Sequence, residues 1–481
     1  MCTPSLQRDN GMAKSKKTDD QQIVNTNLTL LDYNSSDYVN TTSLEYSMYT
    51  LDRAIPGIDG LKSSQRKAIF TLSKVSGEIK TVSCAGKMIS DGIYLHGDTS
   101  ASGTLQNLAS PVANNYPLIG KRGGFGTQVN STPASARYTY VKKNKSTEML
   151  VLRDMDIIPM KENYDGTTME PMYFLPIIPL SLFGNDSMSV GYKSTIMPHK
   201  IEDVIDNCIR AIEKKKLKEM TPYYVSCGAS DIVTKLDENK YEFYGKAEII
   251  DASTVKVTGL PPNYGIEKFI EKLIKMSDDG DIRDYDNDST DVIDITIKLP
   301  RGTSQKWVEK DAIEYFGLHK KLTQHLTVLG ENGKVKVYDD TLELIKDFVN
   351  FRFQYYVKRY ERKLQECDAE VRYKILIKEC FDNDMIGKVK SFANRTEMVN
   401  FVTSMNGEIE ATPENIQSIV NFPSYRWTQD NYAAVLEDIQ TNLDLMDKYN
   451  ALLANHDAIW DIYKEELKEL RKVDFTPKSD G

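Results

Sequence analysis

Apolar residues recur every three or four positions in two stretches near the start of the chain, and this spacing predicts amphipathic helices. The stretches are LEYSMYTLDRAI (44–55) and GLKSSQRKAIFTLSKV (60–75), and short helical patterns then alternate with glycine-rich turns to about residue 140. Residues 1–35 are polar and rich in Ser, Thr, Asn and Asp. This composition predicts a flexible N-terminal extension.

The pattern changes at about residue 150 to β-rich stretches such as KAEIIDASTVKVTGLPP and DVIDITIKLPRG, which alternate with short helical stretches. This alternation predicts an α+β domain over residues 151–340. The acidic tract SDDGDIRDYDNDSTD (277–291) is predicted to be a solvated loop.

Long helical patterns dominate from about residue 341, where some forty residues contain neither Gly nor Pro. Near the end, apolar residues from Leu436 to Leu470 recur mostly at intervals of three and four. Two long amphipathic helices with a shorter helical segment between them predict an antiparallel coiled coil with a knob at its tip, and an ordinary helical bundle is the alternative. The predicted organisation is an α+β multidomain chain with domains at 36–150, 151–340 and 341–481.

Composition narrows the class of protein. The chain has 481 residues with 40% hydrophobic residues, which is enough for a core and excludes wholesale disorder. No run reaches the roughly 18–20 apolar residues of a membrane span, and the N-terminus has no secretory signal, so a cytoplasmic protein is expected. The six cysteines and five histidines are scattered, so no metal site is expected in this chain.

The net charge of −9 argues against nucleic acid, but the charge is unevenly distributed. Residues 51–200 carry 17 basic and 12 acidic residues, a net of +5, and residues 201–481 carry a net of −12. Between positions 121 and 147 six basic residues occur without an acid: Lys121, Arg122, Arg137, Lys142, Lys143 and Lys145. Such a patch is typical of a polyanion-binding site, although a solvated face is the commoner explanation of a basic run.

A tyrosine inside this patch is the candidate nucleophile. Tyr138 directly follows Arg137. A phenol is a poor nucleophile at neutral pH and needs a nearby cation or base. Arg137 is a fixed cation that can favour the phenolate and neutralise a phosphate under attack. The pair alone is weak evidence, and the neighbouring segments strengthen it.

Three segments supply further candidate residues. In IYLHGDTSASGTLQNLA (93–109), His96 precedes a predicted helix start. The glycine-rich NNYPLIGKRGGFGTQ (114–128) permits close backbone approach to phosphates but is neither a Walker A loop nor a dinucleotide fingerprint. RAIPGIDGLKSSQRK (53–67) displays four cations at a helix entry: Arg53, Lys62, Arg66 and Lys67.

Together with IIPLSLFGNDSMSVGYKSTIMPH (177–199), these segments resemble, in the same order, the breakage-reunion region of type IIA DNA topoisomerases. The resemblance implies a winged-helix DNA-gate domain, an α/β tower domain, and a long antiparallel coiled coil with a helical dimerisation knob, the C-gate. We find no ATP-binding fingerprint, no acidic Toprim set and no room for a wrapping domain. The chain therefore most resembles the medium subunits of T-even-type bacteriophage topoisomerases, which would place it in the host cytoplasm.

The resemblance also implies a mechanism. Tyr138 would attack a backbone phosphate and leave a 5′-phosphotyrosine, with Arg137, His96 and Arg53 stabilising the developing charge. Met188 falls where the family carries an apolar wedge between base steps. His199 is interpreted as structural. DNA contacts are expected from Lys62, Arg66, Lys67, Lys121, Arg122, Lys142 and Lys143.

The implied partners are double-stranded DNA, a second copy of the chain through the DNA gate and C-gate, and a large ATPase/Toprim subunit that binds Mg²⁺ and ATP. Asp154 and Asp156 form a lone D-x-D, which we interpret as an incidental surface pair. The predicted activity is ATP-dependent double-strand passage that relaxes or decatenates DNA. The alternatives are a different tyrosine strand-transfer enzyme and a non-catalytic DNA-binding or architectural subunit.

Overall fold

The computed structural model describes residues 34–225, 233–405 and 412–475. The chain divides into two units, Met1–Met48 and Tyr49–Gly481. None of the helices in the described part of the chain is both long and apolar enough to cross a bilayer.

In the first unit, the described residues are helical. They form α1 (Ser35–Tyr38), a π-helical turn (Val39–Ser43) and the beginning of α2 (Leu44–Ala54). The extension predicted for residues 1–35 lies outside the described residues, apart from its last two.

The second unit begins with helices around a small antiparallel sheet of strand order β1-β3-β2. The predicted helix at 60–75 is confirmed as α3, whose start is capped by the Lys62 N–H donating to Gln65 Oε1 over 2.9 Å. Val141 of the central strand is fully buried and pairs with Ile79 and Lys121 on either side. These elements are α3 (Ser63–Ser73), β1 (Glu78–Lys80), α4 (Thr81–Ser90), α5 (Asp98–Ala109), β2 (Gly120–Arg122) and β3 (Tyr140–Lys142).

Two hairpins follow, and the apolar run between them is buried. Phe174, Ile177 and Leu182 are fully buried in the core that also holds α3 and α5. This run therefore anchors both hairpins to the first part of the second unit. The elements are β4 (Met160–Glu162), β5 (Met169–Pro171), β6 (Asn185–Ser189), β7 (Tyr192–Ile196) and α6 (Ile201–Ile212).

The next segment contains a four-stranded antiparallel sheet of order β10-β11-β13-β12. Phe269 and Phe316 belong to the same buried cluster as Val255 and Ile297 of the sheet. The elements are β8 (Val233–Asp237), β9 (Lys240–Tyr244), β10 (Lys246–Asp251), β11 (Thr254–Gly259), α7 (Ile266–Asp278), β12 (Asp284–Asn287), β13 (Ile295–Lys298), α8 (Glu309–Tyr315), β14 (His319–Thr323), β15 (Leu326–Leu329) and β16 (Val335–Tyr338).

The acidic tract 277–291 is not simply a loop, contrary to the prediction. Its middle forms β12, an edge strand paired with β13. Tyr285 packs against the buried cluster, and Asp286 forms a 2.8 Å ion pair with Lys298 on the neighbouring strand. The tract therefore combines one inward tyrosine with outward carboxylates, which is typical of an edge strand.

Two long helices run antiparallel near the end of the chain. The first, α9 (Thr341–Asp382), has 42 residues and begins where Asp340 accepts hydrogen bonds from the N–H groups of Leu342 and Glu343. Its neighbour is α13 (Gln429–Ala454), and a 2.6 Å ion pair between Lys374 and Asp438 joins the two helices. Between the two, residues 383–405 and 412–428 include three short α-helices: α10 (Met385–Val389), α11 (Arg395–Ser404) and α12 (Pro413–Val420).

The second long helix, predicted from the apolar residues between Leu436 and Leu470, is interrupted. The apolar spacing gives no sign of this interruption. The chain leaves α13 at Asn455, whose backbone is extended, and continues as α14 (His456–Arg471). The Asn455 side chain accepts a 3.2 Å hydrogen bond from the Asp457 N–H and so starts the new helix. Buried Tyr463 and Leu467 of α14 join the main core.

Candidate active site

Tyr138 lies in a turn immediately before β3, and its side chain is 70% exposed. Arg137 beside it is also exposed. Thr139, in contrast, is fully buried, and the Tyr138 N–H donates to the Ser135 carbonyl over 2.8 Å. The backbone is therefore held by the protein while the phenol and the guanidinium project into solvent.

The glycine-rich loop after β2 packs against this turn. Gly123 has a φ of +103°, and a Cβ there would lie 3.2 Å from the Tyr138 carbonyl oxygen. Gly126 has a φ of +94°, and a Cβ would lie 2.7 Å from the Ser131 carbonyl oxygen. Side chains at these positions would combine left-handed strain with a backbone clash. The loop therefore approaches the protein's own backbone closely, and at Gly123 it approaches the turn that carries Tyr138.

A second group of candidate residues surrounds His96. Its exposed ring meets Tyr94 edge-on at 5.7 Å, and the pKa of His96 is lowered, first by partial burial and then by the positive charges of Arg53 and Lys67. A lowered pKa keeps the imidazole neutral at physiological pH. The structure therefore brings His96, Arg53 and Lys67 into one electrostatic neighbourhood.

Arg53 is held by aromatic rings. Its guanidinium carbon lies 5.4 Å from the centre of the Tyr49 ring, which in turn lies 5.0 Å from the ring of Tyr164. Within the described ranges, no hydrogen bond, ion pair or ring contact joins Tyr138 to His96 or Arg53. The two groups of candidate residues are thus separate in the single chain.

We expect Arg53→Gln to raise the pKa of His96, because removing a nearby positive charge makes protonation easier. The measurement is an NMR titration of the His96 imidazole, assigned with a His96→Asn variant. Lys448→Gln, at an exposed position on α13, is the matched control and leaves the titration unchanged. An unchanged His96 titration in Arg53→Gln would show that the two groups do not interact.

The cations at the start of α3 differ in exposure, and Arg66 is buried and not displayed at the helix entry as the sequence predicted. Arg66 is 4% exposed and pairs with the fully buried Asp59, with 2.8 Å between Nε and Oδ2. Asp59 also accepts from the backbone N–H groups of Leu61 and Phe174. Arg66 therefore neutralises a buried carboxylate that anchors the Asp-Gly turn, and it is not displayed toward DNA.

The other two cations of this segment are only partly available. Lys67 forms a 2.8 Å ion pair with Glu170, and its side chain is 16% exposed. Lys62 donates to the Asp186 carbonyl over 3.0 Å, and burial lowers its pKa against the opposing effect of the Asp186 charge. Lys62 therefore connects the start of α3 to the β6–β7 hairpin.

The basic residues of the patch around Tyr138 also differ in their exposure and in their contacts with the rest of the protein. Lys121 lies on β2 opposite Val141. Arg122 pairs with Glu78 and stacks on Tyr140, with its guanidinium carbon 3.8 Å from the ring centre. Lys143 donates to the Ser73 carbonyl over 3.3 Å. The exposed cations of the patch are Arg122, Arg137, Lys142 and Lys145.

Met188 and a polar groove lie near Lys62. Met188 stands on the β6–β7 hairpin and is 76% exposed. A groove of about 1050 Å³ is lined by the start of α3, the hairpin and the segment around Tyr264. Its cations are Lys62, Lys193 and Lys321, its acidic residues are Asp186 and Glu267, and much of the remaining lining consists of Asn, Gln, Ser and Thr side chains. Such a lining suits a phosphate backbone.

The family model for the A-type subunits of DNA gyrase and topoisomerase IV matches residues 53–468. The chain belongs to this family. It is therefore a member of the type II DNA topoisomerase breakage-reunion subunits, as the sequence motifs predicted. The DNA topoisomerase medium subunit of Enterobacteria phage T4 is 26% identical over 450 residues, which cover 90% of this chain and 98% of the phage protein.

DNA topoisomerase 2 of Plasmodium falciparum is 31% identical over 353 residues, 70% of this chain and 25% of that protein. The crystal structure of the DNA-binding, cleavage and re-ligation domain of P. falciparum topoisomerase II matches with a TM-score of 0.78 at 24% identity. That match covers 91% of this chain and 64% of the other, and it confirms a mixed α/β fold of this kind. The chain thus spans about a quarter of the length of this topoisomerase 2 relative.

The D-x-D at Asp154 and Asp156 is not the surface pair that the sequence predicted. Asp154 is 4% exposed and is bound by Arg352 and Arg359, whereas Asp156 is exposed. Burial alone would raise the pKa of Asp154, but the charges and hydrogen bonds of the two arginines hold it below the ordinary 3.8. The described residues contain no group of three or more His, Cys, Asp or Glu suited to a metal ion.

His199, Thr81 and Thr139 are buried. His199 is fully buried, and burial lowers its pKa to about 4, so it is neutral and belongs to the core. The buried contacts of Thr81, Thr139 and Asp59 were missed by the sequence reasoning. Two features of the sequence could have drawn attention to these contacts: Thr139 directly follows the Arg-Tyr pair, and Asp59 belongs to the Asp-Gly pair before α3.

Proposed function

We propose that this chain is the subunit that makes and reseals a transient double-strand break in DNA through Tyr138, so that a second duplex passes through the break. The observation that carries the proposal is an exposed phenol on a turn that the fully buried Thr139 anchors, next to an exposed arginine and a basic surface. The ester conserves the energy of the broken phosphodiester, so resealing needs no further energy. Relaxation and decatenation are the expected overall reactions.

The roles of the other residues follow from charge and position. Arg137 stabilises negative charge on the attacked phosphate, and neutral His96 donates or accepts hydrogen bonds with Arg53 as the adjacent cation. Because the His96 group does not contact Tyr138 within one chain, the DNA or a second protomer has to bring them together. Lys62, Lys121, Arg122, Lys142 and Lys143 hold the DNA backbone, and Met188 wedges between base steps.

The architecture is proposed to follow the family: a winged-helix domain at 36–150, a tower domain at 151–340, and a coiled coil with the C-gate at 341–481. The chain would act as a homodimer in the cytoplasm, with a large ATPase/Toprim subunit holding ATP and Mg²⁺. The Asp154 carboxylate is already bound by Arg352 and Arg359, so the D-x-D does not fit Mg²⁺. No catalytic step is therefore assigned to a metal on this chain.

The deciding experiment mixes the purified chain with the large subunit of its own source, ATP and Mg²⁺, and measures decatenation of linked DNA circles. Unlinking that requires all components supports the proposal. Double-strand cleavage by this chain alone would instead favour an independent tyrosine strand-transfer enzyme. DNA binding without cleavage under every condition would favour an architectural subunit.

Neutralising exposed cations beside Tyr138 should reduce the salt dependence of DNA binding. Lys142 and Lys145 are exposed, whereas Lys143 is held by Ser73 and is left unchanged. If both contact phosphates, the double glutamine variant lowers the slope of log K against log salt by about 1.8, at roughly 0.9 per phosphate. Fluorescence anisotropy of a labelled duplex between low and moderate salt measures the slope. The same slope in the variant and in wild type would place this patch away from the DNA.

A further inference from the structure

The N-terminus of α4 lies under the nucleophile turn. The Thr81 N–H donates to the Thr139 carbonyl over 2.9 Å, and the Val82 N–H donates to the Ala136 carbonyl over 3.2 Å. These two carbonyls flank Arg137 and Tyr138. The first N–H groups of a helix have no partner within the helix. Here two of them are satisfied by the backbone on either side of the proposed nucleophile.

A buried hydrogen bond reinforces this contact. The Thr81 and Thr139 hydroxyl oxygens are 2.8 Å apart, and both side chains are fully buried. Neither hydroxyl is exposed to solvent, so neither is a DNA contact. From the other side, the Gln106 side chain donates to the Ala134 carbonyl over 2.7 Å. The turn is thus held from both α4 and α5.

The phenol itself has no such support. Among the residues that the structure describes, the Tyr138 hydroxyl makes no hydrogen bond, and the ring is largely exposed. Its position therefore depends on the backbone of the turn. Phosphoryl transfer relies mainly on positioning and electrostatics, and a displacement of about 1 Å can cost on the order of 100-fold in rate.

We propose that Thr81 and Thr139 are positioning residues, whose buried hydroxyl pair fixes the turn so that Tyr138 is aimed at the scissile phosphate. This role rests on the proposed function of Tyr138. Removing either hydroxyl leaves the other buried without a partner, which loosens the turn without changing any group that contacts DNA.

The test is a single-turnover measurement of covalent adduct formation on a short end-labelled duplex, in the presence of Mg²⁺ and in complex with the large subunit. We expect Thr139→Val to lower the first-order rate constant about 10- to 100-fold. The Kd for the duplex stays unchanged, and Thr139→Ser, which keeps the hydroxyl, restores most of the rate. Thr81→Val has a similar effect, and the double variant is no worse than either single variant.

The rate constant separates this role from a purely structural one, because misfolded molecules reduce the amplitude of adduct formation and leave its rate constant unchanged. A wild-type rate constant in Thr139→Val and Thr81→Val, at whatever amplitude, would overturn the positioning role. Absence of adduct from the wild-type complex would overturn the proposed function itself, and the positioning role with it.

Discussion

Tyr138→Phe removes one oxygen atom, and we expect it to abolish the covalent protein–DNA adduct. Without the phenol no ester to phosphate forms, and losing a nucleophile lowers a rate on the order of 10⁴- to 10⁶-fold. Because the side chain is 70% exposed, the fold and the affinity for DNA should be unchanged. The measurement incubates the complex with end-labelled duplex and Mg²⁺, adds detergent, and detects labelled protein on a denaturing gel.

The chain offers a close control at Tyr140, two positions further on. Its ring stacks against Arg122, and phenylalanine keeps that ring in place. Tyr140→Phe should therefore give the wild-type amount of adduct. An adduct formed by Tyr138→Phe but lost in Tyr140→Phe would move the nucleophile to β3 and would refute the assignment made from the Arg-Tyr pair.

Local spacing was sufficient to predict the first helices, because a period of 3.6 residues depends only on neighbouring residues. The stretch 44–55 became α2 at Leu44–Ala54, and the stretch 60–75 became α3 at Ser63–Ser73. The break at Asn455 was missed because apolar residues keep nearly the same spacing on both sides of it. A single Asn in an otherwise continuous apolar pattern is not enough to predict that one helix ends and another begins.

Predictions about charged side chains failed where the tertiary fold, and not helical or strand spacing, brings the two partners into contact. The partner of Arg66 is Asp59, and the two meet only because the Asp-Gly turn folds under α3. The partners of Asp154 lie 198 and 205 positions away. Sequence spacing carries no information about such pairs. The residues of the motif around Tyr138 are consecutive, so the sequence alone could show the resemblance to the family that the family model confirms. The role of Tyr138 as the nucleophile stays a prediction.

The distant partners of Asp154 form a buried network that joins three parts of the chain. Arg359 bridges Asp154 and Glu466, with 2.7 and 2.8 Å contacts. Tyr356 donates to Glu466 over 2.6 Å, and Arg153 pairs with the same carboxylate over 2.7 Å. The segment that contains Arg153 and Asp154 is thus tied to α9 and α14. Two nitrogens of the fully buried Arg352 have no hydrogen-bond partner, so this arginine depends on Asp154.

We expect Asp154→Asn to be strongly destabilising, because it leaves two buried arginines with too little negative charge. Breaking a buried pair from one side costs about 3–5 kcal/mol. Urea unfolding followed by tryptophan fluorescence measures the loss, since Trp460 of α14 stacks on Phe353 of α9 with 3.7 Å between ring centres. Asp156→Asn, at the exposed neighbouring carboxylate, should change stability by no more than about 0.5 kcal/mol.

We also expect the stability difference between wild type and Asp154→Asn to depend on pH in a defined direction. The pKa of Asp154 is lower in the folded chain than the ordinary 3.8, so its charge stabilises the fold fully above that value. The stabilisation is lost as the pH falls through the folded-state pKa. The stability difference between wild type and Asp154→Asn should therefore be constant from about pH 5 to 8 and shrink in stronger acid. A difference that is already absent at neutral pH would show that the network contributes nothing, because the carboxylate is ionised there and any stabilisation it provides must be complete.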